Sequence, residues 1–318
     1  MNQLLNKILT TSAPPGSEHS LTKLLTDELT PFVDKIYVDR LGNLIMRKTG
    51  AGKRVMICAH MDESAFIITF VEDSGFLRAH PMGNVDIQSY IGSRVCFKNG
   101  INGIVCTDGQ AKKENLYIDI GTKDKQETLE KISIGDVCCI APNAIIQGTK
   151  VLSKALDNKL GCFVLAGVIK EIKNTKNDLF FVFSAQGKLG ARGAKPAAFE
   201  IEPDYAVVVD AADADEKKSD ITLGGGIAIK IKDNIIVSHK KMVDAIRTAC
   251  EQEKAPFRYE ISAQNTDAGV IHTTKSGCIT GGIGIPVRYI DTPDQMAQLS
   301  DINNAVSVLR ALLEKEFD

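Results

Sequence analysis

The chain has 318 residues, 44% hydrophobic and 25% charged, with a formal net charge of −2. That composition describes a globular protein with a sizeable core, built as one large domain or as a main domain with a smaller partner. The balanced charge and the lack of a long basic run argue against nucleic acid or a membrane surface as partner, and no run approaches the roughly 20 apolar residues a spanning helix needs.

Residues 1–12 lack a basic flank followed by a long apolar core, so they are expected to form an amphipathic helix and not a signal peptide. Helical spacing extends from 4 to about 33, broken by Ala13-Pro-Pro-Gly16 and restarting near Ser17. Residues 35–39 alternate as a strand, 40–43 form a turn, and 44–48 return as the second arm of a hairpin. The continuous apolar run at 54–59 predicts a strand buried on both faces.

From about 67 to 147 the texture changes. Short alternating runs at 75–79, 94–97, 102–106 and 136–140 are separated by Gly, Asn and Asp, which predicts a small β-barrel or sandwich. An α/β pattern then resumes, with a helix at 157–173, strands at 179–185 and 205–209, a helix at 241–253 and a strand from 283. A closing helix spans 301–317, with Val306, Leu309, Leu312 and Leu313 at helical spacing. The expected fold is therefore an α/β domain in two parts, 1–66 and 148–318, interrupted by a β insert at 67–147.

The eight cysteines, Cys58, Cys96, Cys106, Cys138, Cys139, Cys162, Cys250 and Cys278, form no C-x-x-C pair and sit mostly in apolar stretches. They are expected to be reduced, packed thiols of a cytoplasmic protein. Cys58 lies two residues before His60, but it reads better as a small hydrophobe than as a metal ligand.

Candidate ligands recur just beyond apolar strands: His60 after 56–59, Asp210 after 205–209, and Asp291 after 286–290. Ligands in open α/β sheets gather outside the carboxyl ends of strands, so these positions would converge. Asp157 stands at the start of a helix, where a carboxylate can bind metal or cap backbone N–H groups. One His and three Asp suit zinc, cobalt or manganese better than a thiolate site does. Asp62 would share a face with His60 and could accept its other imidazole N–H. Each piece has a plainer reading: a lone His-x-Asp is weak, Asp157 could be only a cap, and 210–215 could be a solvated acidic loop.

Ordered motifs run along nearly the whole chain: Ala13-Pro-Pro-Gly-Ser-Glu18, Val38-Asp-Arg-Leu-Gly-Asn43, Ala59-His-Met-Asp-Glu63, Gly83-Asn-Val-Asp-Ile-Gln88, and Ala155-Leu-Asp-Asn-Lys-Leu-Gly161. They continue through Ser184-Ala-Gln186, Gly190-Ala-Arg-Gly-Ala194, Val207-Val-Val-Asp210, Thr266-Asp-Ala268 and Ile285-Pro-Val-Arg-Tyr-Ile290. In these the chain resembles the glutamyl aminopeptidase family, the TET-type (tetrahedral) metallo-aminopeptidases with two metals. The resemblance implies a phosphorylase/hydrolase-like α/β catalytic domain with an inserted small β-barrel domain that serves assembly and substrate access. It also implies peptides with a free N-terminus as substrates, and a homo-oligomer that is often a dodecameric shell.

By the same resemblance His60 and Asp210 are ligands of the first metal, Asp157 is the bridging carboxylate, and Asp62 orients the histidine. The family places a metal-binding glutamate where this chain has Lys188, a metal-binding histidine where it has Asp291, and a general-base glutamate where it has Gly187. Gly187 cannot transfer a proton, a role commonly worth about 10²–10⁴-fold. Lys188 cannot ligate a metal while protonated.

The expectation is that the Lys188 ammonium replaces the second metal, paired with Asp157 and Asp291. One zinc, cobalt or manganese ion per subunit would remain at His60, Asp157 and Asp210, with peptidase activity impaired or lost. Two other readings stand beside it: a non-catalytic, peptide-binding subunit of an oligomeric shell (a pseudoenzyme), and a repurposed single-metal amide hydrolase. Among possible substitute bases, Glu63 is expected to support the site by packing, His272 could reach a substrate if its loop folds over the cleft but reads better as structural, His239 opens the helix at 241, and His80 lies too far away in the insert.

Overall fold

The computed structural model describes residues 2–173, 175–215, 217 and 219–318. Helices α1 (Asn2–Thr10) and α2 (His19–Leu29) are separated by the Pro14-Pro15-Gly16 turn. The prolines remove backbone donors and Gly16 takes φ of +79°, so the helix cannot continue through them. Leu21, Leu25 and Leu29 recur every fourth residue and bury the inner face of α2. Strands β1 (Lys35–Val38) and β2 (Leu44–Lys48) form the expected antiparallel hairpin, followed by β3 (Arg54–His60).

Next come β4 (Ala65–Val71), β5 (Leu77–Met82), α3 (Ile87–Tyr90), β6 (Arg94–Phe97), β7 (Asn102–Thr107), β8 (Leu116–Asp119), α4 (Lys125–Leu129) and β9 (Val137–Ile140). Six of these strands close into a barrel in the order β4-β5-β8-β7-β6-β9, filled by its own apolar cluster around Phe66, Ile68, Val95 and Ile118. Of the two expected forms, barrel and sandwich, the barrel is the one present. The chain then returns through β10 (Ile145–Gln147), β11 (Lys150–Ser153), α5 (Leu156–Glu171), β12 (Asp178–Ser184), α6 (Ala194–Ile201), β13 (Tyr205–Asp213) and β14 (Ile227–Lys232). It closes with α7 (Lys240–Glu253), β15 (Phe257–Ile261), α8 (Ala268–Ile271), β16 (Ile279–Arg288), β17 (Gln295–Gln298) and α9 (Leu299–Glu314).

The barrel strands begin at Ala65 and end at Ile140, whereas Ile145–Gln147, read from sequence with the insert, pairs with β11 in the large sheet. That sheet has eleven strands, ordered β1-β2-β12-β3-β13-β16-β17-β11-β10, with β14 on β16 and β15 on β14. Its centre is parallel: β12 and β13 flank β3 in the same direction. Helices cover both faces, and the period of two decides which residue meets which layer. Val55, Ile57 and Ala59 of β3 pack into the cluster formed with α1, α2, α5, α7 and α9. Met56 and Cys58 pack into the smaller cluster with α6 and α8. Phe181 and Phe183 of β12 join the first cluster, Phe180 and Val182 the second. Each buried Val, Ile, Phe or Met among them contributes about 1.5–3 kcal/mol by leaving water, which is why these strands read as unbroken apolar runs.

The same parity carries the chemistry. His60 continues the Met56–Cys58 face of β3, and Asp210 continues the Ala206–Val208 face of β13. Two adjacent parallel strands therefore deliver an imidazole and a carboxylate to one side of the sheet at its carboxyl edge. All eight cysteines are free, as expected.

Candidate metal centre

His60, Asp157 and Asp210 come together. Their ligand atoms lie within 4.8 Å of one another and all three residues are buried. His60 Nε2 stands 3.6 Å from Asp157 Oδ1 and 3.9 Å from Asp210 Oδ1. The reading of Asp157 as a simple helix cap is overturned. Asp157 (ψ 103°) and Asn158 (φ −124°) are non-helical, so the first turn of α5 is kinked and the carboxylate points at His60 and not along the helix axis. The solvated-loop reading of Asp210 fails as well, since that side chain is buried.

Asp62 takes the expected supporting position. Its Oδ1 lies 3.3 Å from His60 Nδ1, and its two oxygens accept the backbone N–H groups of Gly187 at 2.7 Å and Lys188 at 2.8 Å. His60 Nδ1 also lies 3.1 Å from the Asp62 carbonyl oxygen. With acceptors around Nδ1, a proton belongs there, and Nε2 faces the two carboxylates, where it would offer its lone pair to a bound dication.

Burial opposes a charged His60, but hydrogen bonds with Asp157 and Asp62 and the fields of Asp62 and Asp210 outweigh it, raising its pKa well above the usual value. Asp210 is pushed up to about 7, first by burial and then by the neighbouring Asp157 charge. For Asp157 burial acts upward too, but Lys188 and His60 overcome it and hold the carboxyl well below the ordinary range. Asp62, Asp157 and Asp210 thus gather around one imidazole, an arrangement that would favour a bound dication.

Lys188 reaches into this cluster. Its ammonium donates to Asp157 Oδ2 and lies 3.8 Å from Asp291 Oδ1. Burial disfavours its charge, but the carboxylates of Asp157 and Asp291 prevail and its pKa is raised, so it stays an ammonium. Asp291 is fixed from the other side, its Oδ2 accepting from Asn84 Nδ2 at 2.7 Å and Gln264 Nε2 at 3.3 Å. Gly187 is packed tightly: a Cβ built there would lie 2.4 Å from His60 Cβ and 3.1 Å from Asp62 Oδ1.

Other candidates fall outside the centre. Glu63 is buried against Lys154 Nζ at 2.6 Å and Lys159 Nζ at 2.8 Å and accepts the Ala13 N–H, a structural role. His239 caps α7, and His272 Nδ1 sits 3.1 Å from the Ala268 carbonyl oxygen. His80 in the barrel contacts the Pro81 carbonyl oxygen. Cys58 is buried with its thiol 3.3 Å from Asp267 Oδ2 and is not part of the ligand cluster. Sequence reasoning missed Asn84 and Gln264, which hold Asp291, and Asp233, which binds Ile235, Ile236 and Thr266 along one wall. Asn84 lay inside a quoted motif, but nothing local to Asp233 or Gln264 announced a contact so distant in sequence.

The centre opens into a cleft of about 370 Å³ whose far wall includes Asn234, Ile235, Gln264 and Thr266. The donor set fits a divalent ion: one imidazole nitrogen with its other nitrogen engaged, and two carboxylate oxygens converging beside it. Beside this set, the Lys188 ammonium lies between Asp157 and Asp291.

Comparison with known proteins agrees with this architecture. The chain is 41% identical to "Putative aminopeptidase" of Acetivibrio thermocellus, across 97% of each chain. The solved aminopeptidase APDkam598 from the archaeon Desulfurococcus kamchatkensis superposes with a TM-score of 0.94 at 30% identity, covering 98% of this chain and 94% of that one. PhTET1-12s, a dodecamer in its asymmetric unit, superposes with a TM-score of 0.92 at 25% identity over 99% of each chain. Residues 42–308 match the model for M42 glutamyl aminopeptidases, which are metal-dependent hydrolases, and the chain belongs to that family.

Proposed function

We propose that this protein is a single-metal, catalytically impaired aminopeptidase relative that binds the free N-terminus of peptides and works as a cytoplasmic homo-oligomer. One zinc, cobalt or manganese ion is held by His60, Asp157 and Asp210. A dication there supplies Lewis acidity toward a peptide carbonyl and toward water. Asp62 holds the imidazole tautomer, and Lys188 neutralises Asp157 and Asp291.

The observation that carries this reading is the Lys188 ammonium seated between Asp157 and Asp291. Charge accounting supports it. Relative to the family pattern, the chain loses two carboxylates at 187 and 188, gains an ammonium at 188 and gains a carboxylate at 291. The net change is two positive charges, equal to the charge of one missing dication. Three substitutions that offset a lost ion so closely favour a rebuilt single-metal site over random decay.

A second reading, a non-catalytic subunit that keeps the family's surfaces and binds peptides without cleaving them, is favoured by Gly187. The backbone there has closed onto His60, so no room remains for a proton-transferring side chain without movement of the turn. Metal content and turnover of amino-acid amides, measured together on wild type and His60→Ala, test both readings. One equivalent of metal in wild type, none in His60→Ala and negligible turnover is the expected result. Two equivalents per subunit would sink the single-metal reading, and brisk turnover abolished by His60→Ala would sink the claim of impairment.

A further inference from the structure

Outside the metal ligands, the other buried Asp and Glu side chains among the described residues each receive a backbone N–H or an ion pair. Asp267 is the exception. It is 4% exposed, yet its carboxylate receives neither from a described residue. The Ser184 hydroxyl at 2.6 Å and the Cys58 thiol at 3.3 Å both donate to Oδ2, and no described group donates to Oδ1. Asp267 precedes α8, but its side chain makes no cap bond. Among the described residues, the fully buried side-chain polar atoms that lack a partner are Ser153 Oγ and Gln298 Oε1, so Asp267 Oδ1 is not sealed off. Its opening is the cleft, which the residue lines. A buried carboxylate of this kind is costly until a cation meets it.

The sheet sets Asp267 beside the metal centre. Cys58 lies two residues before His60 on the same face of β3, and Ser184 of β12 is the register partner of His60. The other carboxylates of the cleft are engaged. Asp157 and Asp291 face the Lys188 ammonium, and Asp291 also accepts from Asn84 and Gln264. Asp210 belongs to the ligand cluster, which Asp267 does not join.

We propose that Asp267 Oδ1 anchors the free α-ammonium of a peptide bound in this cleft. An arriving ammonium is repelled where Lys188 already sits, which leaves Asp267 as the carboxylate that can take it. One bare oxygen suits an ammonium, which needs a single acceptor per N–H, better than a dication, which gathers several ligands. The α-nitrogen is two bonds from the first carbonyl carbon, so a peptide whose first carbonyl lies at the metal centre keeps its ammonium within one residue of that centre. The charge-assisted bond would select free N-termini over blocked ones.

This inference rests on the reading that the site binds free N-termini, and it can fail separately. The test is calorimetric binding of Leu-Gly-Gly, acetyl-Leu-Gly-Gly and acetyl-Lys-Gly-Gly to the metal-loaded protein, as wild type and as Asp267→Asn. The first peptide presents an α-ammonium, the second presents none, and the third carries its ammonium on a side chain. Asparagine keeps the shape and can still accept from Ser184 and Cys58, while metal content and melting temperature report whether the variant is intact. A crystal structure of wild type with Leu-Gly-Gly reads the same contact without any variant.

The expected result is a wild type that prefers Leu-Gly-Gly about tenfold or more over both acetylated peptides, and an Asp267→Asn variant in which that margin falls below about threefold. Metal content stays unchanged, and in the crystal structure the α-nitrogen lies about 2.7–3.2 Å from Asp267 Oδ1. Wild type that binds free and acetylated peptides equally, or binds neither, would overturn recognition of the free N-terminus altogether. A margin that survives in Asp267→Asn, or an α-nitrogen resting on another carboxylate, would overturn the Asp267 anchor alone. Acetyl-Lys-Gly-Gly binding as tightly as Leu-Gly-Gly would overturn the assignment to the α-ammonium in favour of side-chain ammonium groups.

Discussion

Gly187 stands so close to His60 that a Cβ at 187 would lie 2.4 Å from the Cβ of the histidine. The loop after β12 is clamped in that position by the Gly187 and Lys188 N–H groups on Asp62. Even one methyl group must therefore push the turn off Asp62 or rotate His60. Overpacking of this kind costs typically about 1–3 kcal/mol. Gly187→Ala is expected to lower stability by that amount in urea unfolding and to weaken metal retention. Equal stability and metal content in Gly187→Ala would show that the turn yields freely. Gly187→Glu alone should accordingly fail to restore turnover.

Lys188 and Asp157 form a buried pair, with side chains 11% and 5% exposed. Removing one partner of such a pair leaves the other charge uncompensated, at a cost of about 3–5 kcal/mol. Lys188→Met should destabilise the apoprotein accordingly. Metal titration should still saturate near one equivalent, because methionine offers no hard oxygen donor. The double variant Lys188→Glu, Asp291→His supplies a carboxylate and an imidazole instead, and calorimetry should then register a second equivalent. A double variant that still binds one ion would mean that the lysine does not occupy a metal position.

The parts of this site that sequence made legible are those where one strand carries the information. His60 and Asp210 stand at the ends of apolar strands, and the period of two fixes their common face. Asp62 follows from its spacing to His60. Asp157 was ambiguous because a carboxylate at a helix start serves equally as cap or ligand. In the fold that carboxylate faces His60, 3.6 Å from its Nε2. The crowding at Gly187 was invisible, since it depends on how closely two loops approach. Strand β14 was also missed, because Lys230 interrupts its apolar run. In the fold that lysine is buried on Glu260 and the Ala211 carbonyl oxygen.

Asp233 ties together two segments of the cleft wall that are 30 residues apart in sequence. Its Oδ1 accepts from the Ile235 and Ile236 N–H groups at 2.8 and 2.9 Å, and its Oδ2 from the Thr266 N–H at 3.1 Å and hydroxyl at 2.8 Å. Asp233→Ala removes all four bonds and strands buried donors, at about 1–3 kcal/mol for each unsatisfied group. Faster amide exchange at 235–236 and 266, with unchanged metal stoichiometry, is the expected outcome. Unchanged protection at those amides would show that the wall is held by other contacts.

Glu63 supplies a pH dependence that can be separated from the metal ligands. Burial alone would raise its pKa, but the charges of Lys154 and Lys159 and their hydrogen bonds prevail, and it falls from 4.5 to about 2. A carboxyl depressed in the folded state binds its proton more readily when unfolded, so unfolding takes up protons as the pH drops. Its stabilisation is complete above pH 4.5 and is lost as the pH falls from there through about 2. A shift of this size corresponds to about 3 kcal/mol. Glu63→Gln should lower stability at pH 7 by at least that much, because two buried ammonium groups lose their counter-charge. The gap between wild type and Glu63→Gln in unfolding free energy should narrow steadily as pH is lowered from 5 toward 3. A gap that stays constant over that range would place the ionised Glu63 outside the stability of the fold, leaving shape alone to explain its burial between the lysines.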